Sequence, residues 1–362
     1  MDSSTPPGFH TPAQHPPVFC GIVPPHLLDK LARSGDPAIA DAARRTLVAD
    51  AAQRTSRRLT TVIGAAAGRS ADGGATPRRT LYDAEHGTVL PGTKVRDEGE
   101  DPGRDATVNR AYAGLGATFE LLLSAYGRNS VDGEGLPLIA TVHYDENYGN
   151  AFWNGEQMVF GDGDGEIFLD FTVPVDVIGH ELAHGLTQYT ANLTYFGQPG
   201  ALNESVSDVF GSLVKQYTLD QTADRADWLI GAGLLAPRVT GVALRSMKEP
   251  GSAYDDDVLG KDPQPATMED YVRTGRDNGG VHINSGIPNH AFYLLATELG
   301  GKAWERAGQI WYDVLTGGAL EVDASFTDFA RATVAAAAAR YGEREEHEAV
   351  LKAWSQVGVP AN

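Results

Sequence analysis

His180-Glu181-Leu182-Ala183-His184 constrains this chain more than any other segment. Four residues make a little over one helical turn, so a helix here projects both imidazoles from one face. Two neutral imidazoles at that spacing suit a tetrahedral zinc ion. The carboxylate of Glu181 can then act as base on zinc-bound water. A zinc centre with one open position needs a third protein ligand. Asn203-Glu204-Ser205-Val206-Ser207-Asp208 opens a second helix after a Gly/Pro-containing connection. Antiparallel helices would bring Glu204 to the metal. Asp208, one turn on, would take the other ring N–H of a ligating histidine and fix its tautomer. The competing reading is two helices with solvated polar faces.

The chain around this pair is long enough, at 362 residues, to bury a sizeable core. One cysteine, Cys20, excludes an intrachain disulfide. No run approaches the length of a membrane span, and Met1 to Pro17 has neither the basic start nor the apolar core of an ordinary secretory signal. The expected location is the cytoplasm, or outside the cell by a route that needs no such signal. Residues 1–80 carry 10 Lys and Arg against 6 Asp and Glu, and the remainder 19 against 42. An acidic body argues against nucleic acid, and a basic leader on it suggests docking between the two.

Residues 1–19 read as a tail, 24–60 as helical, and 64–79 as an exposed Gly/Ala/Ser/Arg linker of the kind proteases cut. From Thr80 to about Asp170 short alternating segments dominate. Strands are expected at 138–144 and 157–160, a helix at 110–126, and a hairpin tip at Gly161–Gly165. Further helices are expected at 176–189, 201–217, 285–299, 303–315, 325–341 and 345–356. The expected fold is α+β: residues 1–75 as leader and linker, a strand-rich lobe at 76–190 ending in the zinc helix, and a helical lobe at 191–362.

Several motifs in order make the chain resemble the thermolysin family of zinc metalloendopeptidases. They are the two helices' H-E-x-x-H and N-E-x-x-S-D, Asn150-Ala151-Phe152-Trp153-Asn154-Gly155, Leu244-Arg245-Ser246-Met247, and the run Asp277 to Gly286. The resemblance implies protein or peptide substrates, cut on the amino side of bulky apolar residues. It implies that Tyr195 and His282 stabilise the oxyanion, that Asp277 and Asn203 orient histidines, and that Asn150, Ala151 and Arg245 bind the substrate backbone. Phe168, Phe171, Val177 and Leu244 align with the apolar pocket of that family. Thermolysin's double calcium site retains Asp176 and Asp227, but Lys215, Leu229 and Ala232 replace other ligands, so no calcium is expected there.

The segment Phe19 to Leu28, with Pro24-Pro25, resembles the short propeptide of the protealysin subgroup. It implies a zymogen whose leader covers the cleft and is removed by self-cleavage between about residues 64 and 80. Cys20 would either ligate zinc or pack as a small apolar side chain. Two other readings remain open: an aminopeptidase with the same ligands, and a latent or non-enzymatic zinc-binding module. The first needs acidic groups for a free amine, and none forms a motif here. The second fits loss of Glu181, Tyr195 or His282, and all three are present. A monomer is expected.

Overall fold

The structure, a computed structural model, describes residues 20–60 and 75–361. The tail expected at 1–19 and most of the linker expected at 64–79 lie outside the described residues.

The leader forms β1 (Cys20–Gly21), α1 (Pro25–Leu31) and α2 (Pro37–Thr60). Pro24 and Pro25 open α1, where a missing N–H costs nothing. The helical stretch expected at 24–60 is broken around Ser34 to Asp36. There Ser34 Oγ accepts from Asp36 N at 3.1 Å and Asp36 Oδ1 from Ala38 N at 3.0 Å, so side chains restart the helix.

The strand-rich half contains β2 (Arg79–Asp83), β3 (Thr93–Asp97), α3 (Ala106–Tyr126), β4 (Leu138–Val142), β5 (Ala151–Trp153) and β6 (Met158–Phe160). Asp105 caps α3 by accepting from Thr107 and Val108 N, and Gly127, left-handed at φ 63°, ends it. The six strands form one sheet in the order β1-β5-β6-β4-β2-β3. β2, β4 and β6 run parallel, while β5 is antiparallel to β6 and β1 to β5. A leader strand therefore completes the edge of the body's sheet.

The hairpin expected around Gly161–Gly165 does not form. Gly163 N donates to Tyr148 O, and Asp164 Oδ1 accepts from the amides of Glu166, Ile167 and Phe168. This turn sends Phe168 to bridge Leu235 instead of returning along β6.

The remainder is mainly helical: α4 (Val175–Gln188), α5 (Gly197–Thr218), β7 (Leu229–Ile230), β8 (Arg245–Ser246), β9 (Asp255–Asp256), β10 (Gly260–Lys261), α6 (Asp277–Asn284), α7 (Gly286–Leu299), α8 (Ala307–Thr316), α9 (Phe326–Tyr341) and α10 (Glu345–Gln356). α4 and α5 are almost wholly buried. Gly211 lets them approach: a Cβ there would stand 2.5 Å from Asp176 O. That approach brings the motif residues of the two helices to one point. A single apolar cluster joins sheet and helices, and it includes Ile22, Val23, Leu27, Leu28 and Leu31 of the leader. Among the described residues no helix is long and apolar enough to cross a membrane.

Candidate metal centre and substrate cleft

The imidazoles of His180 and His184 leave α4 one turn apart, and their Nε2 atoms stand 3.2 Å from each other. Glu204, on α5, places Oε2 at 3.6 Å from His180 Nε2 and Oε1 at 3.6 Å from His184 Nε2. Ligands at zinc–nitrogen distances around a tetrahedron are about 3.3–3.4 Å apart, so the three groups fit such an ion. The outer nitrogens settle the tautomers. His180 Nδ1 meets Asp208 Oδ1 at 2.8 Å, and His184 Nδ1 meets Asn203 Oδ1 at 2.8 Å with Ser207 Oγ at 3.1 Å. A carboxylate and an amide oxygen accept, so each Nδ1 carries hydrogen and each Nε2 presents a lone pair. Two lone pairs and a carboxylate converging in a buried space call for a shared cation. Burial holds His184 down to about 3, which keeps it in the neutral, ligating form.

Glu181 lies beside the ligands, fully buried. Its Oε2 accepts from Trp153 N of β5 at 2.9 Å, while Oε1 has no partner among the described residues. Burial, followed by repulsion from Glu204, pushes this carboxyl well above the usual carboxylate range. Glu204 behaves oppositely: burial acts upward, but His282, His184, His180 and Arg245 outweigh it and lower its value.

Tyr195 donates its hydroxyl to Glu204 Oε1 and stands 3.3 Å from His282 Nε2. His282 Nδ1 is held by Asp277 Oδ1 at 2.6 Å, and its backbone N by Asp277 Oδ2 at 2.9 Å. Burial opposes charge on this imidazole, yet Glu204 and Asp277 raise it to about 9. The Asp277–Gly280 segment turns sharply, with φ between 49° and 84° at all four residues. Two glycines within it remove the steric cost at half of these positions.

The leader occupies the groove between these groups and β5. Cys20 faces Trp153 and Gly21 faces Phe152, and Ile22 N donates to Ala151 O at 3.1 Å. Asn150 Oδ1 accepts from Val23 N at 2.9 Å. Gly21 O lies 3.2 Å from His282 Nε2, and Arg245 Nη1 donates to Ile22 O at 3.0 Å. The Cys20 thiol, the His184 imidazole and the Glu204 carboxylate form a second group of potential ligand atoms lying within 4.8 Å of one another. Ile22 is fully buried in the same apolar cluster as Phe168, Phe171, Val177 and Leu244. Those four are buried core residues; Val177 lies one turn before His180, and Leu244 precedes Arg245.

Asp208 is the hub beneath the site. It accepts from His180, bidentately from Arg245 through Nε and Nη2 at 2.8 Å each, and from Asn289 Nδ2 at 2.8 Å. Burial pushes its carboxyl upward, but the Arg245 guanidinium outweighs this and holds it well below the usual range. Sequence reading did not single out Asn289, nor Asp50 of α2, whose buried carboxyl accepts from Tyr148 and from Asn150 Nδ2 at 3.1 Å. Neither lies in a motif. A pattern search centred on spacing has no means of finding them.

Lys215 Nζ stands 3.0 Å from Asp176 Oδ2 and 2.8 Å from Asp227 Oδ2, and it donates to Leu229 O at 3.3 Å.

Two family models match. The thermolysin metallopeptidase catalytic domain covers residues 39–188, and the thermolysin metallopeptidase α-helical domain covers residues 191–359. An extracellular metalloprotease of Pectobacterium carotovorum subsp. carotovorum is 50% identical over 343 residues, 94% of this chain and 96% of that protein. Protease PrtS of Photorhabdus sp. (strain Az29) is 54% identical over 286 residues, 78% of this chain and 77% of that protein. The precursor of protealysin, a metalloproteinase from Serratia proteamaculans, superposes with a TM-score of 0.86 at 53% identity, over 94% of this chain and 99% of that chain.

Proposed function

The chain belongs to the thermolysin family of metallopeptidases, and from that premise we propose that His180, His184 and Glu204 hold the zinc of an endopeptidase whose own leader occupies the cleft. The metalloendopeptidase activity follows from the family. The residue roles are our reading. The observation that carries it is the convergence of two Nε2 lone pairs and the Glu204 carboxylate, with Glu181 beside them.

Zinc, when bound, supplies Lewis acidity to the scissile carbonyl and to the attacking water. Glu181 takes the proton of that water and delivers it to the leaving amine. Tyr195 and His282 donate to the developing oxyanion, a contribution of about 3–4 kcal/mol for each well-placed donor. Asp277 keeps His282 charged and oriented. Asn150 and Ala151 bind the substrate as an added strand, and Arg245 grips its next carbonyl.

The leader supports this assignment because it behaves as a substrate would. Gly21 O stands where His282 can donate, Ile22 O where Arg245 does, and the Ile22 side chain enters the apolar cluster. A preference for bulky apolar residues after the cut is in keeping with that burial. We read residues 1–75 as the inhibitory leader, 76–190 as the strand-rich lobe and 191–362 as the helical lobe. The leader is removed by self-cleavage between about residues 64 and 80. Every named group belongs to one chain, so a monomer suffices. Export from the cell is in keeping with a relative named as extracellular. Hydrolysis of a quenched peptide, lost with a zinc chelator and absent on substrates offering only a free amino-terminal bond, tests the endopeptidase reading.

Cys20 is read as the leader's zinc ligand in the latent chain, through its thiolate. Replacing zinc by cobalt in the intact chain should give a thiolate-to-metal charge-transfer band that is missing from the Cys20→Ser variant. A spectrum identical in the two proteins would assign Cys20 to packing alone.

Lys215 takes the role of a divalent ion for Asp176 and Asp227. Calorimetry on zinc-loaded protein should detect no tight calcium binding there. Lys215→Met should cost about 3 kcal/mol in urea unfolding, because it leaves the buried Asp176 unpaired. Tight calcium binding by the unmodified chain contradicts this reading.

A further inference from the structure

We infer that Asn289 is a positioning residue that sets metal retention and substrate grip together through Asp208. The inference rests on the reading of His180 as zinc ligand and Arg245 as backbone grip.

The Asp208 carboxylate is wholly buried and has four donors. Oδ1 accepts from His180 Nδ1 and Arg245 Nη2, and Oδ2 from Arg245 Nε and Asn289 Nδ2, all at 2.8 Å. Each oxygen thus takes two bonds, and the carboxylate's accepting capacity is filled. One carboxylate joins the imidazole that faces the metal to the guanidinium that reaches the Ile22 carbonyl. Three of the four donors belong to those two groups. Asn289 alone comes from outside them, from α7, and ties the hub to the helical layer behind it.

The orientation of its amide is forced. A carboxylate offers no hydrogen, so Nδ2 must face Asp208 and Oδ1 must face away. Asn289 is completely buried, and its Oδ1 has no partner among the described residues. An orphan acceptor in the interior costs stability, so this side chain is a poor choice for packing alone. Its one bond goes to the hub. Without that bond, Oδ2 is held by Arg245 only, and the carboxylate can rotate toward the guanidinium. Rotation moves Oδ1 off the axis of His180 Nδ1 and shifts Arg245 Nη1 from the substrate carbonyl. Both functions loosen from one cause.

The test uses the full chain as wild type, Asn289→Leu and Asn289→Asp, loaded with zinc. Zinc release to a chelating dye, KM and kcat on a quenched peptide after incubation, and Tm are measured on each. Removing the oriented donor should speed zinc release about 10-fold, within the range seen for outer partners of metal ligands. KM should rise about 10-fold while kcat changes less, since the backbone grip is what slackens. Tm of the Leu variant measured in chelator, where zinc contributes nothing, should hold or rise, because the orphan acceptor has gone. The Asp variant, the same size as Asn, should be worse than Leu in both zinc release and KM, because it sets acceptor against acceptor. If the Leu variant fails to fold, zinc release from the isosteric Asp variant decides alone. Release and KM within about twofold of wild type in the folded variants would overturn the inference. So would losses that merely track Tm, or an Asp variant milder than Leu, the order expected of a space filler. Failure of the parent reading is distinct: wild type itself would then lack chelator-sensitive hydrolysis.

Discussion

Glu181→Gln should lose peptide hydrolysis by about 10²–10⁴-fold while its zinc content stays at one per chain, because in the proposed mechanism the carboxylate moves protons and does not ligate. Glutamine keeps the shape and can still accept from Trp153 N through its carbonyl. The fold should therefore persist. Stability should not fall, since the substitution removes an ionisable group whose charged form burial disfavours. The same variant should keep its leader: incubated alone, it should show no shortening in a mass spectrum, whereas wild type should shorten between about residues 64 and 80. Prompt normal maturation of purified Glu181→Gln would refute self-processing. Retained hydrolysis with zinc bound would remove Glu181 from the proton-transfer role. Maturation is read on variant protein whose hydrolysis is lost, so one preparation tests both steps in order.

Removing zinc should abolish activity and also lower the melting temperature, which separates this centre from a surface site. The folded chain holds the ligands in one buried place, and the unfolded chain does not. At free zinc about 1,000-fold above Kd, binding adds about 4 kcal/mol to the folded state. A chelator should erase that increment, and zinc should restore it together with hydrolysis. Replacing His184 by alanine should give the low melting temperature permanently, with little further loss on chelation. A wild-type Tm indifferent to chelation would mean that His180, His184 and Glu204 do not share a stabilising ion. The two measurements, rate and Tm, must move together over one zinc titration.

The convergence of His180, His184 and Glu204 was legible because helical spacing turns sequence distance into direction. His180 and His184 project together wherever their helix lies, and Glu204 and Asp208 follow the same rule on the next helix. The helix boundaries expected from hydrophobic period agree with α3, α4, α5, α7, α9 and α10 to within a few residues. Elsewhere the local signal was silent or misleading. β1 is two residues long, and no periodicity exists over two residues. Its register comes from Asn150, Arg245 and His282, which are distant in sequence. α6 escaped notice because its first residues are left-handed, so Asp277 to Gly280 reads as a loop. The supposed hairpin failed because Asp164 redirects the chain with three local hydrogen bonds. Asp50 on a charged leader helix looks like any solvated acid until α2 is laid against Tyr148 and Asn150.

The leader's place in the sheet also sets the logic of activation. In the proposed zymogen, Cys20–Val23, joined to the body through the chain between Thr60 and Arg79, would compete with substrate as a tethered ligand, at an effective concentration in the millimolar range. An intrinsic Kd of about 10 μM is then enough for about 99% occupancy. One cut anywhere in that connection leaves β1, α1 and α2 untouched but turns the same contact bimolecular. At about 0.1 μM protein, a ligand of that affinity then occupies about a hundredth of the sites. The cut needs no precise address, and dilution completes what it begins.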